Sequence, residues 1–533
     1  MKTRKVLGSM TTLSFGLAGG LALFAPACAG SPTDCDYGLC GAAGSAGSGG
    51  SGNDAGAAGE PTAGTQGGGG KGGGAAGSMS GGSNGEAGTS GNGGEAGGGG
   101  GGCDVTKSPA VERCLVSDEH AVFVAPDGDD AADGSQTAPL ATLTKAVEVA
   151  AGDKLVLVCS GTYNEHVVVD AGVRVYGGFK CADWSADTAK PLFKPTTAGP
   201  ALKIDAVDDE VLVEGLAFEV GDAVVAGATA LTALVNQSPV VTLRAVSLKA
   251  GKGKAGANGT VTAFTFPPRS ELDGNSAVGT AGGMPKPITC PGGAKTTGGI
   301  GGAAVEGGQS GSKGTPDHGA GAGGIPGSCS PNGTGQDGAN APDAPAADGA
   351  KVLGTLTALG WTSGSGGDGA NGSPGQGGGG GASSETGGGG GGGAGACGGA
   401  GAKGGQGGGG SVALAVLDSV VKVEASALVT ADAADGGTSV AGQPGDKTQG
   451  GFAGNAGPGA CQGGGGGLGG NGAAGGGGAG GISVGIVWKG LMAPTVTADT
   501  TNTNGKAGAK GIGGVPGTND GVAGVAQKTL ALN

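Results

Sequence analysis

Leu231-Thr-Ala-Leu-Val-Asn-Gln-Ser-Pro-Val-Val-Thr-Leu-Arg-Ala-Val-Ser-Leu248 is the stretch on which the fold turns. It returns as Val412-Ala-Leu-Ala-Val-Leu-Asp-Ser-Val-Val-Lys-Val-Glu-Ala-Ser-Ala-Leu428, one residue shorter. A looser third copy opens at Ile482-Ser-Val-Gly-Ile-Val487 and runs to Val496. Each copy holds apolar runs of strand length, broken by Asn, Asp or Ser. One such unit cannot bury its apolar side alone, whereas stacked units bury a continuous column. The copies are therefore expected as consecutive rungs. The glycine-rich stretches between them then leave from equivalent turns, and the flanking rungs of the detour over 251–410 should touch.

The same style begins earlier. Ala121-Val-Phe-Val-Ala125 reads as a strand ending at Pro126-Asp127-Gly128. In Ala138–Ala150, Leu143, Ala146, Val147 and Ala150 fall on one helical face, with Thr142 as a cap. The period then changes to two, with Leu155 and Leu157, Val167 and Val169, and Val173 and Val175. Leu202-Lys-Ile204, Val211-Leu-Val213 and Leu216-Ala-Phe218 continue as short strands closed by Gly or Asp turns.

Three of these segments carry a resemblance. Val122-Phe-Val-Ala-Pro-Asp-Gly128, Ala138-Pro-Leu-Ala-Thr-Leu-Thr-Lys-Ala146 and Gly161-Thr-Tyr-Asn-Glu165 look like the start of right-handed parallel β-helix proteins of the pectin-lyase-like superfamily. Tyr176-Gly-Gly-Phe179 with Trp184 is similar to a following turn. The resemblance covers roughly 120–250 and implies an all-β coil capped by a short N-terminal helix. It implies no activity, because that superfamily hosts many.

Glycine fills 137 of the 533 positions. Glycine has no side chain to bury and the most backbone entropy to lose on folding. A Gly/Ser tract is flexible by default. Several blocks after 251 nevertheless repeat in threes: Gly366, 369, 372, 375, 378 and 381; Gly395 through 410; Gly463 through 481; Gly505 through 517. Three residues per turn is the polyproline-II period, in which glycine lets neighbouring helices approach backbone to backbone. Ordered polyglycine-II packing, as in PGRS-type surface proteins that these blocks resemble, stands against disorder. Residues 41–102 read as a tether spanning roughly 40–45 Å as a random coil.

Lys2, Arg4 and Lys5 precede an apolar core from Val6 to Phe24, the layout of an export signal. Ala25-x-Ala27 fits ordinary cleavage, while Ala27-Cys28 resembles the end of a bacterial lipobox, in which Cys28 takes the lipid. Eleven cysteines are present, so lipidating Cys28 leaves an even number to pair. The candidates are Cys35, Cys40, Cys103, Cys114, Cys159, Cys181, Cys290, Cys329, Cys397 and Cys461, and pairing of sequence neighbours is expected: 35–40, 103–114, 159–181, 290–329 and 397–461. The chain divides as a signal peptide over 1–27, a lipidated Cys and tether over 28–102, N-terminal rungs over 103–250, an insertion over 251–410, a rung over 411–435, a second insertion over 436–481, and a final rung with a glycine-rich tail over 482–533.

The formal charge of −14, with no basic cluster beyond the signal, argues against nucleic acid and anionic membrane surfaces as partners. Asp127, Asp129 and Asp133 gather oxygen ligands that calcium accepts, but Asp/Gly is also ordinary turn chemistry. Asp208-Asp209-Glu210 and Glu165-His166 read as turns, with acid/base pairs for glycoside cleavage as the sharper alternative. Thr495, Thr497, Thr500, Thr501 and Thr503 read as an exposed edge, with a threonine ladder as the alternative. No catalytic or cofactor-binding residue is assigned. The leading expectation is a non-catalytic, structural or adhesive lipoprotein at the outer membrane or cell surface, held through Cys28 and contacting polysaccharide or another surface component. The alternatives are plain secretion, a carbohydrate-active β-helix enzyme (lyase or hydrolase), and a surface- or ice-binding module.

Overall fold

Short apolar runs with a period of two form strands that bury alternate side chains. A computed structural model describes residues 103–150, 154–448 and 450–532. Its strands form three parallel sheets, and the chain visits each once per coil, making a parallel β-helix. The first sheet stacks Ala121–Val124, Leu155–Cys159, Val173–Phe179, Val211–Glu214, Val241–Arg244, Val421–Glu424 and Thr495–Val496. The second stacks Val167–Val169, Leu202–Asp205, Ala230–Asn236, Ser411–Leu417, Ser483–Lys489 and Ala526–Ala531. The third stacks Thr162–Tyr163, Leu192–Phe193, Ala217–Glu219, Ser247–Ala250, Ala427–Thr430 and Thr501–Thr503.

Stacking puts like residues over like. Val175, Val213, Leu243 and Val423 form one buried column, and Phe193, Phe218, Leu248 and Leu428 another. Tyr163 extends the second column over Phe193, with ring centroids 4.8 Å apart. The helix Leu143–Ala150 lays Leu143, Ala146, Val147 and Ala150 over the N-terminal end of this core.

The two copies of the repeat lie side by side. Leu231 pairs with Val412 and Val241 with Val421, so the one-residue deletion is absorbed in the turn between their strands. Residues 251–410 leave the coil and return one rung on. They also bring back a hairpin, Gly354–Thr357 with Gly360–Ser363, whose Leu356 and Trp361 cover the outer side of the second sheet at Leu231, Leu234, Val412 and Val484. Ala230–Asn236 is therefore buried on both faces, which is why it reads as a continuous apolar run.

The glycine blocks form a bundle bonded backbone to backbone. Residues 364–382 and 388–410 run antiparallel, and every third N–H of the first donates to the second: Gly366 to Gly405, Gly372 to Gly399, Gly378 to Gly393. Every third N–H of the second in turn donates to 461–482, as Gly393 does to Gly464, and Gly464 donates back to Gly379. This three-residue pattern is that of polyglycine II.

Over 374–382 and 388–400 these segments are buried on all sides. Gly391, Gly392 and Gly393 donate to three different neighbours, Asn275, Gly299 and Gly464. Gly377, Gly378 and Gly379 likewise reach Thr315, Gly393 and Gln336. A side chain at such positions meets a carbonyl: a Cβ at Gly392 would fall inside 3.0 Å of Gly378 O, and one at Gly380 inside 3.0 Å of Ile300 O. Unbroken glycine thus marks the central helices. Glycine at every third position marks peripheral ones, with the intervening residues facing out.

Some outward residues complete the bonding. Asp337, Asn340 and Asp343 recur every third residue and accept the N–H groups of Gly465, Leu468 and Asn471 at 2.7, 2.8 and 2.8 Å. A carboxylate or amide oxygen stands there in place of a neighbouring helix. At roughly 3.1 Å of rise per residue, the 388–410 segment is about 70 Å long before it enters Ser411–Leu417.

Four disulfides join the described cysteines. Cys103–Cys114 and Cys159–Cys181 link sequence neighbours as expected. The expected 290–329 and 397–461 pairs are corrected to Cys290–Cys397 and Cys329–Cys461. In a bundle of antiparallel and parallel helices, lateral neighbours are distant in sequence, so cysteines of different segments meet. Cys28, Cys35 and Cys40 lie outside the described residues. Disulfide use of this kind belongs to an oxidising, exported environment, and no described helix is long and apolar enough to cross a membrane.

Candidate functional site

The carboxylates of Asp127, Asp129 and Asp133 do not converge on a site. Asp129 accepts the N–H of Ala131, and Asp133 that of Ser135, at 2.9 and 3.0 Å. The Ser135 amide holds the Asp133 carboxyl below its usual range. Asp130, between them, accepts from the N–H groups of Ala141 and Thr142 and from the Thr142 hydroxyl, tying this turn to the start of the helix. Among the described residues, no group of three or more His, Cys, Asp or Glu is placed to hold a metal ion. Asp127, Asp129 and Asp133 act as turn residues.

Glu165 has a structural task that sequence reading missed. Its two carboxylate oxygens accept the N–H groups of Leu143 and Thr144 at 3.0 and 2.8 Å, and the Thr144 hydroxyl at 2.6 Å. These amides are the unpaired donors at the helix N-terminus, where a negative charge is favoured. The cap comes from the next coil, some twenty residues on, beyond any local capping pattern. Glu165→Ala is expected to cost about 1–2 kcal/mol in urea unfolding; an unchanged midpoint would remove the cap from the account. His166 is held apart from this, with Nδ1 2.8 Å from Pro200 O and Nε2 2.8 Å from the Thr197 hydroxyl.

Thr497 and Thr500 do not join an outward ladder. Their hydroxyls accept the N–H groups of Ala425 and Ser426 at 3.3 Å and close the last coil.

Asp208, Asp209 and Glu210 do line a concavity, of about 930 Å³, between their turn, the turn at 170–174 and the end of the helix. Glu148 and Asp170 add carboxylates, and Lys154 and Arg174 supply positive charge. Arg174 is partly committed, since Nη1 donates to Val105 O. The end of the helix and two turns of successive coils thus bring together groups that nothing in the sequence links.

A second set of charges runs along the outer face of the first sheet. Arg244 bridges Glu424 at 2.7 Å and Glu214 at 3.2 Å, and Lys422 also reaches Glu424. The hydrogen bond from Lys422, followed by that from Arg244, holds the Glu424 carboxyl below its usual value, and the Glu424 bond raises Arg244. A depressed carboxylate contributes stability above its unfolded value and loses it as pH falls through the folded one. Arg244→Ala should therefore lower the melting temperature at about pH 7 and have little effect at about pH 3. Arg244 is 44% exposed, so the effect at neutral pH is at most about 1 kcal/mol. Equal effects at both pH values would refute the ion-pair origin.

The model of a family described as "Protein of unknown function (DUF1565)", associated with parallel β-helix proteins, matches residues 126–204, the first coils. No curated protein matches. Among solved structures, the GH136 lacto-N-biosidase from Eubacterium ramulus is similar at 16% identity over 24% of this chain and 27% of that one, with a TM-score of 0.19. A rhamnogalacturonan lyase is similar at 17% identity over 25% of this chain and 36% of that one, with a TM-score of 0.18. The chain thus spans between about a quarter and just over a third of these proteins' length, and the likenesses carry nothing about activity.

Proposed function

We propose that the chain is an exported, non-catalytic scaffold of the cell surface, lipid-anchored through Cys28. The supporting observation is the bundle of glycine segments. Its centre contains backbone and no reactive side chain, and it extends about 70 Å from the coil. Of the carboxylates that suggested chemistry in the sequence, Asp129, Asp133 and Glu165 are spent on backbone amides. The arrangement suits reach and rigidity at a surface, with a structural or adhesive role. Mass spectrometry of the mature N-terminus tests the anchor, with diacylglyceryl expected on Cys28 and an unmodified Cys28 refuting it. Incubation with a panel of polysaccharides tests the lack of catalysis, with no shortening expected.

The concavity around Asp208, Asp209 and Glu210 favours a second reading, a carbohydrate-active enzyme. Clustered carboxylates are the means of glycoside cleavage. Under that reading, a polysaccharide is depolymerised and Asp209→Asn with Glu210→Gln abolishes turnover. Turnover that survives this double variant, or none at all, excludes it.

A further inference from the structure

In the second sheet, Leu202–Asp205 and Ala230–Asn236 are neighbouring parallel strands, and their register sets Asp205 beside Asn236 and Lys203 beside Leu234. Leu202 and Ile204 enter the core, so Lys203 and Asp205, two residues apart, share the outer face. There the Asp205 carboxylate holds two donors at once. Oδ2 accepts from Lys203 Nζ at 2.6 Å, and Oδ1 from Asn236 Nδ2 at 2.7 Å. A primary amine and a carboxamide are thus gripped by the two oxygens of one carboxylate.

The neighbours of this cluster are apolar. Val168 and Leu234 pair with Lys203 from the strands on either side, and Leu417 pairs with Asn236. Leu234 lies under the hairpin's Leu356 and Trp361. Asn236 is 5% exposed, and the side chains of Lys203 and Asp205 are 31% and 32% exposed. The same three residue types meet in the glycine bundle at Lys447, Asp343 and Asn471. There Asn471 Nδ2 is 2.9 Å from Asp343 Oδ2, but Lys447 Nζ stands 4.0 Å from Oδ1, and the Lys and Asp side chains are 49% and 59% exposed. That set is open to water, whereas paired strands hold the first in contact.

We propose that Lys203 and Asn236 form a self-modification site, joined by an isopeptide bond between Lys203 Nζ and Asn236 Cγ, with Asp205 as the acid and base of the reaction. The amine becomes a nucleophile once it has lost a proton, which Asp205 Oδ2 is placed to take. The bonds from Lys203 and then Asn236 hold the Asp205 carboxyl below its usual range, so it stands ionised as a proton acceptor. The Nζ–Cγ bond forms and the Cγ–Nδ2 bond breaks. Nζ gives up two protons in all, and Asp205 passes them to the leaving Nδ2, which departs as ammonium. One alkylammonium and one amide become one amide and one ammonium, with Asp205 regenerated and no oxidant or co-reactant consumed. A carboxylate of depressed proton affinity is a weak base, so the step is slow and occurs once per chain. The product ties two successive coils covalently, whichever function the chain performs.

The test is tandem mass spectrometry of the full chain, reduced and digested with trypsin and a glutamate-specific protease, which cuts at Glu210, Glu214 and Glu219 between the two residues. A branched peptide joining Lys203 to Asn236 is expected, lighter than its two parts by one ammonia, with no cleavage after Lys203. Lys447 and Asn471 are expected in separate, unmodified peptides of the same digest. Asp205→Ala should slow linkage at least tenfold, since positioned acid–base groups contribute about 10²–10⁴ in rate. Lys203→Arg keeps a cation beside Asp205 and so retains the fold, but should abolish the branched peptide. Separate peptides at Lys203 and Asn236, in fresh and aged chain alike, would overturn the proposal and leave an ordinary ion pair. Linkage undiminished in Asp205→Ala would overturn the role of Asp205. Turnover of a polysaccharide would sink the scaffold reading without altering this digest, so the two failures are separable.

Discussion

Gly392→Ala is expected to open the bundle. The new methyl would sit inside 3.0 Å of Gly378 O, a backbone atom that cannot rotate away. The same residue donates to Gly299 O at 2.8 Å, and its neighbours on either side are bonded to two other segments. Moving any of the contacting helices breaks a ladder of bonds rather than one. Overpacking an ordinary core costs about 1–3 kcal/mol and occasionally more, and here no side chain can repack. About 3 kcal/mol or more is therefore expected, visible as rapid proteolysis within 364–482 under conditions where the parent resists. Ser373→Ala, at an exposed position of the adjoining segment 364–382, should stay within about 0.5 kcal/mol of the parent. If both variants resist the protease equally, the segments are not packed as described.

Loss of the two bundle disulfides should be the other large effect. Cys290–Cys397 and Cys329–Cys461 close separations of 107 and 132 residues, against 22 for Cys159–Cys181. In the chain-entropy account, a loop of about 100 residues restricts the unfolded state by about 4.7 kcal/mol and one of about 15 residues by about 3. The difference grows for this chain, because the glycine-rich segments they join have an unusually large unfolded ensemble to restrict. Cys329→Ala with Cys461→Ala is expected to cost more in urea unfolding than Cys159→Ala with Cys181→Ala. The reverse order would mean that the bundle is held by its backbone bonds with little help from the crosslinks.

Much of the coil was legible because its signals are local. The helix over Leu143–Ala150 follows from four apolar residues on one face. The strands follow from alternation, and the neighbouring rungs from one repeated stretch at 231–248 and 412–428. The candidate site was much less legible. Asp208, Asp209 and Glu210 announce a turn, but nothing in the chain announces that Glu148, Asp170, Lys154 and Arg174 stand around it. Glu165 reads in the sequence as a turn residue, and becomes a helix cap only when the next coil closes over the first.

Glycine shows where local information ends. Its period of three is written in the sequence and implies an extended helix with three residues per turn, because only glycine tolerates backbone contact along a face. So are the strand positions, through side chains that must be buried on one side. Which helix lies beside which is not written there, because glycine has no side chain by which one segment can specify another. Partner choice depends on where the coil launches each segment, on the Asp and Asn residues that cap outer amides, and on the cysteines that lock them. For that reason the sequence by itself determined the coil, and of the glycine blocks it determined the period of three but not whether they are ordered. Only the tertiary structure decided that these blocks pack as bonded helices, that Cys290 meets Cys397 and that Cys329 meets Cys461.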